Sequence, residues 1–164
     1  MSAPEARNTV SNPKRMVIKV PQQLNGYPFS IPETVVWGDM DAMNHVNNAR
    51  YFRYLETARI GFIGQLFPHF GQPNASDLKE GLALAEARCR FKVPLTYPDE
   101  IIIASAVKEV EESHFIVQHE IYSEKLDCIA AEGDARMVYY DFVEQRKAVF
   151  PDELVKRLKD NMRT

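Results

Sequence analysis

One stretch of helical period followed by four stretches of strand period constrains this chain more than any other feature. From residue 48 to 67 the apolar side chains Tyr51, Leu55, Ala58, Phe62 and Leu66 recur at steps of three and four. That spacing predicts a helix with one buried stripe, which Phe52 and Ile63 widen. Asn47 or Asn48 suits its N-cap. Gly61 and Gly64 lower helix propensity, so close packing against a sheet is expected to compensate.

Past the helix the period is two. Residues 82–93 are extended and end at Pro94. Ile101, Ile103, Ser105 and Val107 alternate with Ile102, Ala104 and Ala106, which predicts a strand apolar on both faces. Residues 115–122 and 128–142 give two more strands, with Gly133 a candidate bulge. The turns at 97–100, 111–113 and 124–127 are short, so the strands are expected to form an antiparallel meander. Ahead of the helix, 16–20 reads as a short strand. Residues 29–37 read as a longer one, edge-like because of Pro32. Pro151 opens an amphipathic C-terminal helix with acidic residues in its first turn. One helix can bury its stripe only by lying across a face of the sheet, which makes an α+β domain. The expected division is a tail at 1–15, one domain at 16–150 and a helix at 151–164.

Composition excludes several classes. The chain has 164 residues, 45% hydrophobic and 26% charged, with a net charge of −3. These are values for one soluble domain. No window gathers enough Lys and Arg for nucleic acid; Lys14, Arg15 and Lys19 read as a solvated face. Cys89 and Cys128 have no metal-ligand spacing and read as free thiols in a reducing compartment. His69, His114 and His119 are likewise scattered. Neither a secretory signal nor a membrane span is legible, so the expected location is the cytoplasm.

Chemistry concentrates in residues 37–59, WGDMDAMNHVNNARYFRYLETAR. Two aspartates, one histidine and three asparagines fall between a strand and a helix start. Turn and cap preferences explain part of this. The segment also resembles the signature of the 4-hydroxybenzoyl-CoA thioesterase branch of the hot-dog superfamily. That signature runs Asp-x-Asp-x-x-Gly-His-Val-Asn-Asn-x-x-Tyr, with a Glu following in the helix. Asp39, Asp41, His45, Val46, Asn47, Asn48, Tyr51 and Glu56 match it. Residues 88–103 look like the family's second and third strands, and the resemblance spans about 29–142. Asn44 departs from it, standing where glycine is usual. If that position needs a positive φ, Asn is the next most tolerant residue.

The resemblance implies a long central helix wrapped by an antiparallel sheet, and an enzyme that hydrolyses acyl-CoA thioesters. Asp41 would be nucleophile or general base. Amides of residues 46–48, at a helix start with its partial positive charge, would form the oxyanion hole. His45 reads as a general base or as a hydrogen-bonding residue that fixes the loop. Asn47 anchors the loop or cap, Asp39 is structural, and Glu56 is the second candidate carboxylate. Val46 and Tyr51 would meet substrate. Arg88, Arg90 and Lys92, alternating on one strand face, would meet the CoA phosphates. No metal or organic cofactor is expected. A homodimer or homotetramer is implied, with sites at the subunit boundary. Two other readings stay open: an acyl-carrier-protein thioesterase and a non-catalytic acyl-CoA-binding module.

Overall fold

A computed structural model describes residues 19–68 and 79–164. The expected tail at 1–15, most of the strand at 16–20 and the loop at 69–77 lie outside the described residues.

The elements are β1 (Phe29–Val35), a 3-10 turn (Trp37–Asp39), α1 (Asn48–Leu66), β2 (Glu80–Phe91), β3 (Asp99–Val110), β4 (His114–Ser123), β5 (Cys128–Asp141), β6 (Arg146–Lys147) and α2 (Asp152–Lys159). The strands form one antiparallel sheet in the order β1-β3-β4-β5-β2, with the short β6 also paired to β5. The simple meander therefore needs correction. β3, β4 and β5 are consecutive hairpins, but β2 joins the far side of β5. The chain leaves β1 through α1, crosses the inner face and returns at the opposite edge. β1 is an edge strand, and its Pro32 sits there opposite Ile102, as a proline without an N–H requires.

The inner face of the sheet receives the stripe of α1. Tyr51, Leu55 and Ala58 pack with Val35, Ile101, Ile103 and Ile121. Phe62 and Leu66 pack with Val107, Phe115, Val117 and residues of the α2 segment, including Leu158. Each fully buried side chain of this kind contributes roughly 1.5–3 kcal/mol. Ile102 and Ala104 face the other side, where they meet Leu24 and Tyr122. β3 is thus apolar on both faces, as its composition predicted.

Two glycines show how tightly α1 sits. A Cβ on Gly61 would come within 2.9 Å of the Phe29 ring, and one on Gly133 within 2.6 Å of Leu55. Gly133 is not a bulge. It is in register with both Cys89 and His119, and its missing side chain makes room for Leu55. The register shifts fall instead at Leu84/Glu86, Val107/Glu109 and Ile121/Tyr122.

Candidate active site

The loop between β1 and α1 folds back on itself. Met40 and Val46 form an antiparallel bridge. The Asp41 N–H donates to the His45 carbonyl (2.9 Å), and the Asn44 N–H donates to the Asp41 carbonyl (3.1 Å). Closing so small a loop places Asn44 at φ 59, the left-handed region. The substitution of Asn for glycine at this position is therefore accommodated by backbone conformation.

Asp39 locks the loop to the helix. It is 3% exposed. Its carboxylate accepts from the Val36 N–H (3.0 Å), from Arg50 Nε (2.5 Å) and from the Tyr54 hydroxyl (2.6 Å). Burial alone would raise its pKa, but the bonds from Tyr54, Val36 and Arg50 hold it below the ordinary carboxylate value. The same burial and the Asp39 charge push the Tyr54 hydroxyl far up. Every bond of Asp39 is internal. It organises the loop, as expected from its place in the sequence.

The start of α1 narrows the choice of oxyanion donors. The Val46 N–H is taken by the Leu95 carbonyl (2.9 Å), and the Asn47 N–H by the Asp39 carbonyl (2.9 Å). Asn47 is the N-cap, its side chain accepting from the Ala49 N–H at 2.9 Å. Of the three amides expected to serve, only that of Asn48 has no partner among the described residues. Long-range backbone pairing has consumed the other two.

Asp41, Met43, His45, Val46, Asn48 and Tyr51 line a cavity of about 360 Å³, closed on the other side by residues 91–94. One Asp41 oxygen accepts from the Met43 N–H at 2.8 Å. Tyr51 stands edge-on to Phe91, with centroids 5.0 Å apart, and its hydroxyl accepts from the Leu95 N–H at 2.9 Å. Burial raises the Tyr51 pKa, despite the bond from Leu95. Leu95 therefore clamps this wall to α1 through both of its backbone groups. Of the 91–95 wall only Lys92 is named from sequence; for the rest the one signal is a proline at a strand end.

Other expected residues fall elsewhere. Arg88 and Arg90 do not reach this cavity. They lie on the outward face of β2, in a groove of about 550 Å³ shared with Lys108, Glu132 and Asp134. There Arg88 pairs with Glu86 and Lys108 with Asp134. Only Lys92 comes round, where the chain leaves β2, and it is bound to Glu132 at 2.6 Å. Glu56 lies on the exposed side of α1, paired with Arg53, and does not line the cavity. Burial pushes the Cys89 thiol up to about 11. Among the described residues no group of three or more His, Cys, Asp or Glu is placed to hold a metal ion. None of the described helices is long and apolar enough to cross a membrane.

A carboxylate and an unpaired helix-start N–H facing one cavity can act on the two sides of a carbonyl group. Comparisons with known proteins point the same way. The profile of the thioesterase-like superfamily matches residues 35–158. An Aquifex aeolicus (strain VF5) protein, only provisionally named an esterase, is 28% identical over 135 residues, covering 81% of this chain and 99% of its own. Among solved structures, a gentisyl-coenzyme A thioesterase aligns with TM-score 0.67 and 25% identity, over 79% of this chain and 99% of its own. A Thermus thermophilus thioesterase, complexed with coenzyme A and Zn, aligns with TM-score 0.70 and 22% identity, over 82% and 94%. The shared architecture, an antiparallel sheet curled round one long helix, is the hot-dog fold.

Proposed function

We propose that this chain, which belongs to the thioesterase-like superfamily and is a thioester hydrolase, cleaves acyl-CoA to a free acid and CoA. The observation that carries the reading is the Asn48 N–H, which has no partner among the described residues, at the start of α1 in the cavity that Asp41 lines. The thioester oxygen takes the Asn48 N–H, and its developing charge is stabilised by that donor and the helix start. Asp41 acts from the other side, in one of two ways. As nucleophile its carboxylate bonds to the carbonyl carbon, the C–S bond breaks, and water hydrolyses the resulting anhydride. As general base it takes a proton from water instead, the water oxygen bonds to the carbonyl carbon, the C–S bond breaks, and the proton passes to the departing CoA thiolate.

The remaining residues position these two. Asn47 caps the helix and His45 shapes the approach to the thioester. Val46, Tyr51 and Phe91 wall the acyl group. The coenzyme A bound to the Thermus thermophilus relative supports CoA as the leaving group. Neither a metal nor an organic cofactor takes part in these steps. The working form is a homo-oligomer, because β2 leaves an unpaired edge.

Free thiol release from short, medium, long and aromatic acyl-CoAs tests the reading. Asp41→Asn should keep the wild-type circular dichroism and lose at least about 10²-fold in turnover. Near-normal turnover, with deamidation excluded, would remove Asp41 from the chemistry. Release of the acyl group from a loaded acyl carrier protein but from no acyl-CoA would replace the substrate.

A further inference from the structure

Two buried polar groups near the inner face of the sheet lack partners among the described residues. His119 is 2% exposed and its Nε2 bonds to nothing. Arg59 is 6% exposed, and its guanidinium has neither a hydrogen bond nor an ion pair among the described residues. The other imidazole nitrogen, Nδ1, lies 2.8 Å from Ser105 Oγ. Ser105 is itself fully buried. Its hydroxyl has this one partner among the described residues, so it donates to Nδ1 and the ring proton sits on Nε2. Burial lowers the His119 pKa and the nearby Arg59 charge adds to the effect, so the ring is neutral beside the guanidinium. Both unpartnered groups are therefore donors, and one is a cation. A buried donor without an acceptor is costly, and a buried charge more so. The group that completes the pair is an anion with acceptor oxygens.

The register places this pair one step deeper than the candidate active site. His119 is opposite Ser105 on one side and Gly133 on the other, and Gly133 is opposite Cys89. The next row on the same face holds Phe91, Ala131 and Ile121, about 7 Å away along the strands. Phe91 is the residue that meets Tyr51 in the cavity wall. Cys89, half-buried against the core cluster that contains Tyr51, lies on the way from one row to the other. On α1, Arg59 follows Asn48 by eleven residues, about 16 Å along the axis. A long helical side chain leans back over the preceding turn, which brings the guanidinium about 5 Å nearer to the Asn48 amide.

We infer that Arg59 and His119 bind a carboxylate at the far end of the acyl group, so that the preferred substrate is the CoA thioester of a dicarboxylic acid. This inference rests on the acyl-CoA reading above and names the acyl class. One carboxylate oxygen takes the guanidinium and the other takes the Nε2–H. With the thioester oxygen on the Asn48 N–H, about 11 Å remains to the guanidinium. A hydrogen bond of about 3 Å at each end takes up part of that. An extended chain of about six carbons, at about 1.2 Å per bond, fills the rest.

Hexanedioyl-CoA and hexanoyl-CoA, equal in length and differing in the terminal carboxylate, provide the test. Thiol release by the full chain should give a kcat/KM at least about tenfold higher for hexanedioyl-CoA. In Arg59→Gln, folded by circular dichroism, that ratio should fall to about one, whereas Arg59→Lys should keep part of it. Titration calorimetry of Asp41→Asn, which binds without turnover, should show the same preference in Kd. A merely structural Arg59 does not produce that difference between two ligands. If the Arg59 variants fail to fold, the wild-type ratio and the Asp41→Asn titration still decide. Equal kcat/KM and equal Kd for the two thioesters overturn the inference and leave the thioesterase reading intact. Stabilisation by free acetate without any such preference assigns the donors to a solution anion, and overturns it too. Thiol release from no acyl-CoA at all counts against the thioesterase reading instead, and the calorimetric ratio then judges the carboxylate site alone.

Discussion

Asn47 gives its backbone N–H to the carbonyl of Asp39 at 2.9 Å, while the next amide, Asn48, has no partner among the described residues. The Asp39 carboxylate meanwhile holds Val36, Arg50 and Tyr54. One residue thus ties the loop to the helix start and occupies the Asn47 amide.

Asp39→Asn should therefore destabilise the protein by about 2–4 kcal/mol, because a buried acceptor becomes partly a donor facing the Tyr54 and Arg50 donors. Tyr54→Phe, which removes one of these bonds, should cost about 1–2 kcal/mol. Urea denaturation measures both. An unchanged midpoint for Asp39→Asn would show that the network carries no stability.

Asn44 at φ 59 gives a contrast between two substitutions. Asn44→Gly should stay within a few tenths of a kcal/mol of wild type, whereas Asn44→Val should lose about 1–2 kcal/mol, since a β-branched residue is strained there. Equal stabilities for the two variants would show that backbone conformation is not what constrains the position.

Acid should destabilise the fold through His119. The ring is 2% exposed and bonds Ser105 Oγ at 2.8 Å. Burial, with a smaller contribution from the Arg59 charge, lowers its pKa to about 3. The unfolded chain binds this proton near pH 6.5 and the folded chain does not. The stability contributed by neutral His119 is complete above pH 6.5 and declines below it, by roughly 1.4 kcal/mol per pH unit. His119→Gln keeps a partner for Ser105 and cannot titrate. Its stability should fall less steeply than wild type between pH 6.5 and 4.5, a window above the depressed range of Asp39. Parallel curves for the two proteins would rule the histidine out.

Activity should survive chelation followed by gel filtration, because the proposed steps use only Asp41, the Asn48 amide and water. Loss of turnover on chelation, restored by zinc or manganese, would contradict that chemistry.

The legible parts of the fold were the local ones. Tyr51, Leu55, Ala58, Phe62 and Leu66 defined α1 because a helical stripe is written in nearby residues. Asn44 was recognised as a residue tolerant of positive φ for the same reason. What escaped depended on partners distant in sequence. The amides of Val46 and Asn47 looked available until Leu95 and Asp39 were found to accept them. Arg88 and Arg90 share a strand face, but periodicity does not say which face looks toward the site. Gly133 looked like a bulge because nothing local reveals that Leu55 occupies the space beside it.

Neighbours along the chain, β1 and β2 occupy opposite margins of the sheet, and α1 spans the interval between them. Apart from β1, the strands that cover the helix stripe, β3 to β5, are all synthesised after it. A ribosome that has released the chain only as far as Phe91 holds a helix that only β1 and Phe91 can begin to cover, and a strand whose neighbour does not yet exist. Folding must wait for residue 141, the end of β5, to emerge, since only then can β2 find its place. Loop closure over such separations is slow relative to helix formation. The exposed stripe of α1 during that interval is where a nascent-chain chaperone, or aggregation, would act first.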